Sequence, residues 1–199
     1  MPRWLLALRS ERITDAPEPE ARQSMPADGA APQSPTSAMS SFEVFYQQHE
    51  RAIFGYLWRV CGDEQTANDL TQEVFLRAWR AFEKLRGYER PEAWLFRVAT
   101  NLALNERRHQ RLVGPAAPLE GHERASGDHT TQLAERAALR AALESLPPRQ
   151  RAAFILRELY GHSCDEIADI LGLTSAAAKM TLSRARHRLR TLYLKEDAE

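Results

Sequence analysis

After Gly172, the apolar positions Ala178, Leu182, Ala185, Leu189 and Leu192 recur at i, i+4, i+7, i+11 and i+14. That period places them on one stripe of an α-helix and excludes a strand, whose side chains alternate between faces. Upstream, Ser163 and Glu166 stand at capping-box spacing. A short helix therefore begins at Cys164 and buries Ile167, Ala168, Ile170 and Leu171. Gly172 permits the backbone turn that ends it, and Thr174 or Ser175 caps the next helix. Residues 161–190 thus predict a helix–turn–helix.

The side opposite the stripe presents Ala176, Lys179, Met180, Ser183, Arg184 and His187, with Arg186, Arg188 and Arg190 toward its flanks. Between Thr174 and Lys195 there are six basic residues and no acidic one. In a helix–turn–helix the early part of the second helix reaches base edges, while later arginines engage phosphates. Thr174, Ser175, Lys179, Ser183, Arg184, Arg186, His187 and Arg188 are therefore candidate DNA-binding residues. The early positions are small and apolar, so phosphate binding should exceed base readout. Neutralising about four to six phosphates would give log affinity a slope of about −4 to −5 against log salt.

A net charge of zero hides this polarity. Residues 94–111 carry four basic residues and one acidic, whereas residues 41–76 carry six acids against two arginines. Two basic surfaces and one acidic surface are predicted.

The chain reads as all-α, in two small helical domains. Residues 1–39 predict a disordered tail, since the first 38 hold six of the eleven prolines. Translation could start at Met39 or Met25 as well as at Met1. The first domain, 40–111, has helices expected at about 41–60, 64–84 and from Pro91 to about Gln110. Residues 112–131 hold Gly, Pro and His without an apolar face and predict a flexible linker. The second domain, 132–194, has helices expected at about 132–145, 149–160, 164–171 and 175–193. A tether of about 20 residues spans roughly 25 Å relaxed and nearly 70 Å extended.

Three segments then carry a resemblance: DLTQEVFLRAW at 69–79, AWLFRVATNLALNERR at 93–108, and LPPRQRAAFILRELYGHSCDEIADILGLT at 146–174. In this order, with a linker between them, they resemble bacterial RNA polymerase sigma factors of the extracytoplasmic-function (ECF) group, within the sigma-70 family. The resemblance covers about residues 41–192 and implies sigma domains 2 and 4. It implies binding to the clamp of core RNA polymerase through Asp69, Gln72, Glu73 and Phe75, with Val74 and Trp79 anchoring the helix. It implies a −10 element reader in which Tyr88 stacks on a splayed base, Asn101 hydrogen-bonds an extruded base, and Arg97, Arg107, Arg108 and Arg111 hold phosphates. It implies that the helix–turn–helix reads the −35 element. Two such elements lie roughly 50–70 Å apart, about one and a half to two DNA turns, which the extended tether suits. An anti-sigma partner of unknown identity is also implied.

The chain departs from the family pattern at Asn105, where an aspartate is usual. It departs again at Ala178, Met180 and Thr181, where a β-branched residue, a serine and an arginine are common. Fewer donors suggest an unusual −35 preference.

Other classes find less support. No Ser/His/Asp or Cys/His constellation, no glycine-rich phosphate loop and no metal-ligand spacing stands out, so neither catalysis nor a cofactor is expected. Cys61 and Cys164 are far apart, and a disulfide is not expected. The apolar patch Trp4–Leu8 is shorter than a signal-peptide core, and no run approaches a membrane span, so a cytoplasmic protein without membrane insertion is expected. The alternative to a sigma factor is a helix–turn–helix transcription regulator that acts without core polymerase.

Overall fold

The computed structural model of the chain describes residues 35–113 and 139–196. The expected tail up to residue 34 and most of the 112–131 linker lie outside the described residues. Every regular element among the described residues is a helix. They are α1 (Pro35–Cys61), α2 (Glu64–Arg80), α3 (Phe82–Leu85), α4 (Pro91–Val113), α5 (described over 139–144), α6 (Pro148–Glu158), α7 (Cys164–Leu171) and α8 (Ser175–Glu196).

Local chemistry sets these boundaries. Asp63 caps α2, its carboxylate accepting from the Thr66 amide at 2.6 Å, and hydrogen bonding from the Thr66 hydroxyl first, then its amide, holds the Asp63 pKa below the usual carboxylate range. Ser163 and Glu166 complete the predicted capping box of α7 in both directions. Gly172 closes α7 at φ 62°, a left-handed conformation that suits glycine. Pro148 opens α6, where a missing N–H costs nothing. Two boundaries differ from expectation. α1 starts at Pro35, inside the expected tail, because proline is tolerated in a first turn. The helix expected at about 64–84 breaks at Ala81 (φ −103°, ψ 5°), and Phe82 turns inward to open the short α3.

The larger difference lies in packing. The sequence predicts two small helical domains on a tether, and in the structure one apolar cluster runs through both modules. Ile53, Tyr56, Leu57, Val60, Leu95, Phe96 and Ala99 of α1 and α4 join Ala152, Ile155 and Leu156 of α6 and Ile167, Ile170 and Leu171 of α7. Rings tie the seam: Phe96 lies 4.8 Å from Tyr160 and 5.0 Å from His162. The Tyr160 hydroxyl donates to the Ala52 carbonyl at 2.8 Å, and Arg90 pairs with Glu166. A second, smaller cluster (Leu139, Leu143, Leu146, Phe154, Ala185, Leu189) holds α5, α6 and α8 together.

Electrostatics complete the seam at the C-terminus of α1, where backbone carbonyls have no intrahelical donor. Three arginines supply donors. Arg151 of α6 donates to Val60 O at 2.9 Å, Arg107 of α4 to Cys61 O at 3.3 Å, and Arg140 of α5 to Gly62 O at 2.5 Å. Each cation also meets the negative end of the helix dipole. Arg151 is fully buried and donates a further bond to Glu144 O, so one guanidinium joins the ends of α1 and α5. Burial, then repulsion from Arg107, lowers its pKa to about 10, which leaves it charged at neutral pH. Gly62 has φ 80°, and a Cβ there would meet the Glu144 carboxylate at 3.0 Å.

Candidate nucleic-acid and polymerase interfaces

The second helix of the helix–turn–helix, α8, buries Ala178, Leu182, Ala185 and Leu189. Its other side leaves Ala176, Lys179, Met180, Ser183, Arg184, His187, Arg188 and Arg190 exposed. Thr174 spends its hydroxyl on the Ala177 amide as the cap. The Ser175 hydroxyl donates to Asp165 at 2.5 Å, which locks α8 to the support helix α7. Thr174 and Ser175 thus orient the helix, while Lys179, Ser183 and Arg184 lie on its open face.

A second exposed stripe runs along α4. Arg97, Asn101 and Arg108 are exposed at i, i+4 and i+11, and so share a face. Behind Asn101, the Thr100 hydroxyl bonds the Tyr56 hydroxyl at 2.6 Å and the Phe96 carbonyl at 2.7 Å. This buried clasp fixes the rotation of α4 and therefore the direction in which Asn101 projects. Tyr88, 49% exposed, sits in the loop before α4 beside an open pocket of about 310 Å³ lined by Phe45, Gln48, Phe82, Leu85 and Arg86.

On α2, Asp69, Gln72 and Leu76 are exposed and Glu73 is half-buried in an ion pair with Arg77 at 2.6 Å. Leu76, 45% exposed, extends the acidic strip with an apolar patch. The sequence reading passed over it, although its spacing of i+4 from Gln72 and i+7 from Asp69 places it on the same face.

Comparison with known proteins matches both modules. Residues 45–113 match the family model for sigma-70 region 2, and residues 136–189 match that for sigma-70 region 4. The ECF RNA polymerase sigma factor SigL of Mycobacterium tuberculosis is 35% identical over 152 residues, covering 74% of this chain and 85% of that protein. The chain belongs to the ECF sigma factors. The ECF RNA polymerase sigma factor SigE of Mycolicibacterium smegmatis is 32% identical over 171 residues, covering 82% of this chain. The chain spans 65% of that relative's length and 48% of the length of SigG of Mycobacterium tuberculosis. Among solved structures, the sigma factor RpoE from Bartonella quintana, in complex with the anti-sigma factor NepR, matches with a TM-score of 0.63 at 25% identity. That match covers 77% of this chain and 97% of the other.

For this ECF sigma factor, four residues make contacts other than those their expected roles call for. Phe75 is only 4% exposed and packs on Tyr46 with ring centroids 4.7 Å apart. It faces inward because it falls next to Val74 and Ala78 on the buried stripe of α2, so it supports the acidic strip from beneath. Arg107, expected on a phosphate, turns to the orphan Cys61 carbonyl. Arg186 is held by two bonds to Glu158 of α6, at 2.7 and 3.1 Å, because it lies on the flank where α8 meets α6. Trp79, expected as an anchor, is 42% exposed and meets Phe42 edge-on at 4.9 Å. The side chain of Arg111 lies outside the described residues.

Proposed function

We propose that this chain is an alternative sigma factor that binds core RNA polymerase, directs it to −35 and −10 promoter elements and promotes DNA melting. The observation that carries the reading is the presence, on one chain, of two exposed nucleic-acid faces with an acidic and apolar strip beside them. Lys179, Ser183 and Arg184 on α8 grip the upstream element, with Arg188 and His187 further along the same face. Arg97 and Arg108 hold phosphates around Asn101, whose amide receives a splayed base, and Tyr88 stacks on a neighbour. Stacking of this kind stabilises a splayed base by about 1–3 kcal/mol and partly offsets unstacking. Asp69, Gln72, Glu73 and Leu76 meet a basic partner helix on the polymerase clamp.

The chain supplies binding and base capture, and the catalytic step of RNA synthesis belongs to the polymerase. No helix among the described residues is long and apolar enough to cross a membrane, which suits work on cytoplasmic DNA. An anti-sigma protein is the natural regulator, as the NepR complex of RpoE supports. The two modules share one apolar core in this structure, whereas promoter elements lie roughly 50–70 Å apart, about one and a half to two DNA turns, so the seam opens when polymerase engages both modules.

Co-purification with core polymerase followed by run-off transcription tests the reading. A chain that shifts duplex DNA but never binds core overturns it. Asn101→Ala should abolish open-complex formation, read by permanganate footprinting, and leave core binding intact.

A further inference from the structure

Met180 is 55% exposed at the centre of the DNA-facing side of α8, one turn from exposed Ala176 and one turn before Ser183. The four residues Ala176, Met180, Ser183 and His187 follow i, i+4, i+7 and i+11, the midline of the face, with Lys179 and Arg184 to either side. An unpaired apolar side chain in the middle of a basic surface gains nothing in water. It gains free energy only when the surface it meets is also apolar. In the major groove, the apolar group on a base edge is the 5-methyl of thymine, whereas guanine presents two acceptors there and adenine one acceptor and one donor. A guanine opposite Met180 would lose water from its acceptors and receive no donor in return.

Resting on the sigma-factor reading, we infer that Met180, seconded by Ala176, is a specificity-determining residue that selects thymine in the upstream promoter element through its 5-methyl group. The unbranched thioether follows the methyl along the groove floor, since its rotatable bonds adapt to small shifts of register. Lys179 and Arg184 anchor the flanking phosphates and fix the height at which Met180 meets the base edges. Discrimination comes as much from rejecting guanine as from attracting thymine.

The test uses the full chain assembled with core polymerase and a duplex library randomised upstream of a fixed −10 segment. Thymines in the recovered sequences are then replaced one at a time by deoxyuridine, which deletes only the methyl group. Burying one methyl corresponds to about a fourfold change in affinity, so one or two positions should weaken by about three- to fivefold. Met180→Leu should keep that dependence, and Met180→Ala should bind thymine and uracil templates alike. Wild-type protein indifferent to uracil at every position overturns the inference, as does a Met180→Ala variant that retains the full difference. A holoenzyme that selects no upstream sequence overturns the sigma-factor reading and this inference together. One that selects a sequence yet ignores the methyl overturns this inference alone.

Discussion

Replacing Arg151 by methionine keeps most of the buried volume and removes the guanidinium that bridges α1 and α5. Two charge-assisted bonds are lost, at 2.9 Å to Val60 O and 2.5 Å to Glu144 O. Each bond of this type contributes about 1.5–3 kcal/mol, and the carbonyls left behind each cost about 1–3 kcal/mol if they stay dry. Relief from burying a cation works the other way and returns several kcal/mol. The net is about 3 kcal/mol. The Val60 bond crosses the seam, whereas the Glu144 bond lies within the second module, so about half of it, about 1.5 kcal/mol or about 13-fold, shifts the balance from docked toward open. Small-angle scattering of the full chain should show a larger radius of gyration for Arg151→Met, with helicity by far-UV circular dichroism retained. Arg151→Lys, which cannot reach both carbonyls, should fall between the two. Helicity retained with a scattering curve identical to wild type would refute the idea that this guanidinium holds the modules together.

Other perturbations test neighbouring parts of the seam. Glu166→Gln keeps a capping-box residue but removes the charge opposite Arg90. Because Arg90 is half-exposed, the loss should be at most about 1 kcal/mol and should vanish at high salt, measured by urea titration at two ionic strengths. The His162 pKa is lowered by burial first and by Arg90 second, against an opposing pull from Glu92. Its Nδ1 lies 3.5 Å from Glu166, and Phe96 covers the ring. The folded state therefore binds fewer protons than the unfolded one. Stability should hold above about pH 6.5 and fall as pH drops below the unfolded value, a slope that His162→Gln should flatten in urea midpoints. Gly172→Ala forces a Cβ into the left-handed region and should cost about 1–2 kcal/mol by thermal denaturation.

The helix–turn–helix was legible in the sequence almost residue by residue. Its capping box, glycine turn and apolar stripe are local signals within about one turn of one another, and such signals do not depend on what packs nearby. The docked seam was not legible, because its determinants are far apart in sequence. The bond from Arg151 to Val60 O spans 91 residues, and nothing about an arginine in PPRQR distinguishes a buried helix-end donor from a solvated one. The same blindness explains Arg107 and Arg186: the family resemblance implies a phosphate for the first and the helix–turn–helix face for the second, while in the packed structure they bond Cys61 O and Glu158. Phe75 lies beneath the strip for a simpler reason. In DLTQEVF the motif runs across both faces of α2, and only the helical period separates the strip Asp69, Gln72, Glu73, Leu76 from its support.

Because both modules belong to one chain, the seam closes without a diffusional encounter, at an effective concentration that short connections bring to the millimolar range. A seam that would bind with a dissociation constant of about 1 μM as separate pieces then stays shut by about 1,000 to 1, or about 4 kcal/mol. Any partner that spreads the modules must exceed that threshold before it gains a net contact. Doubling the connecting segment would lower the threshold by only about 0.6 kcal/mol. The readiness of this protein to open is therefore written into Arg151 and Arg140 at the end of α1, far more than into the length of chain between its halves.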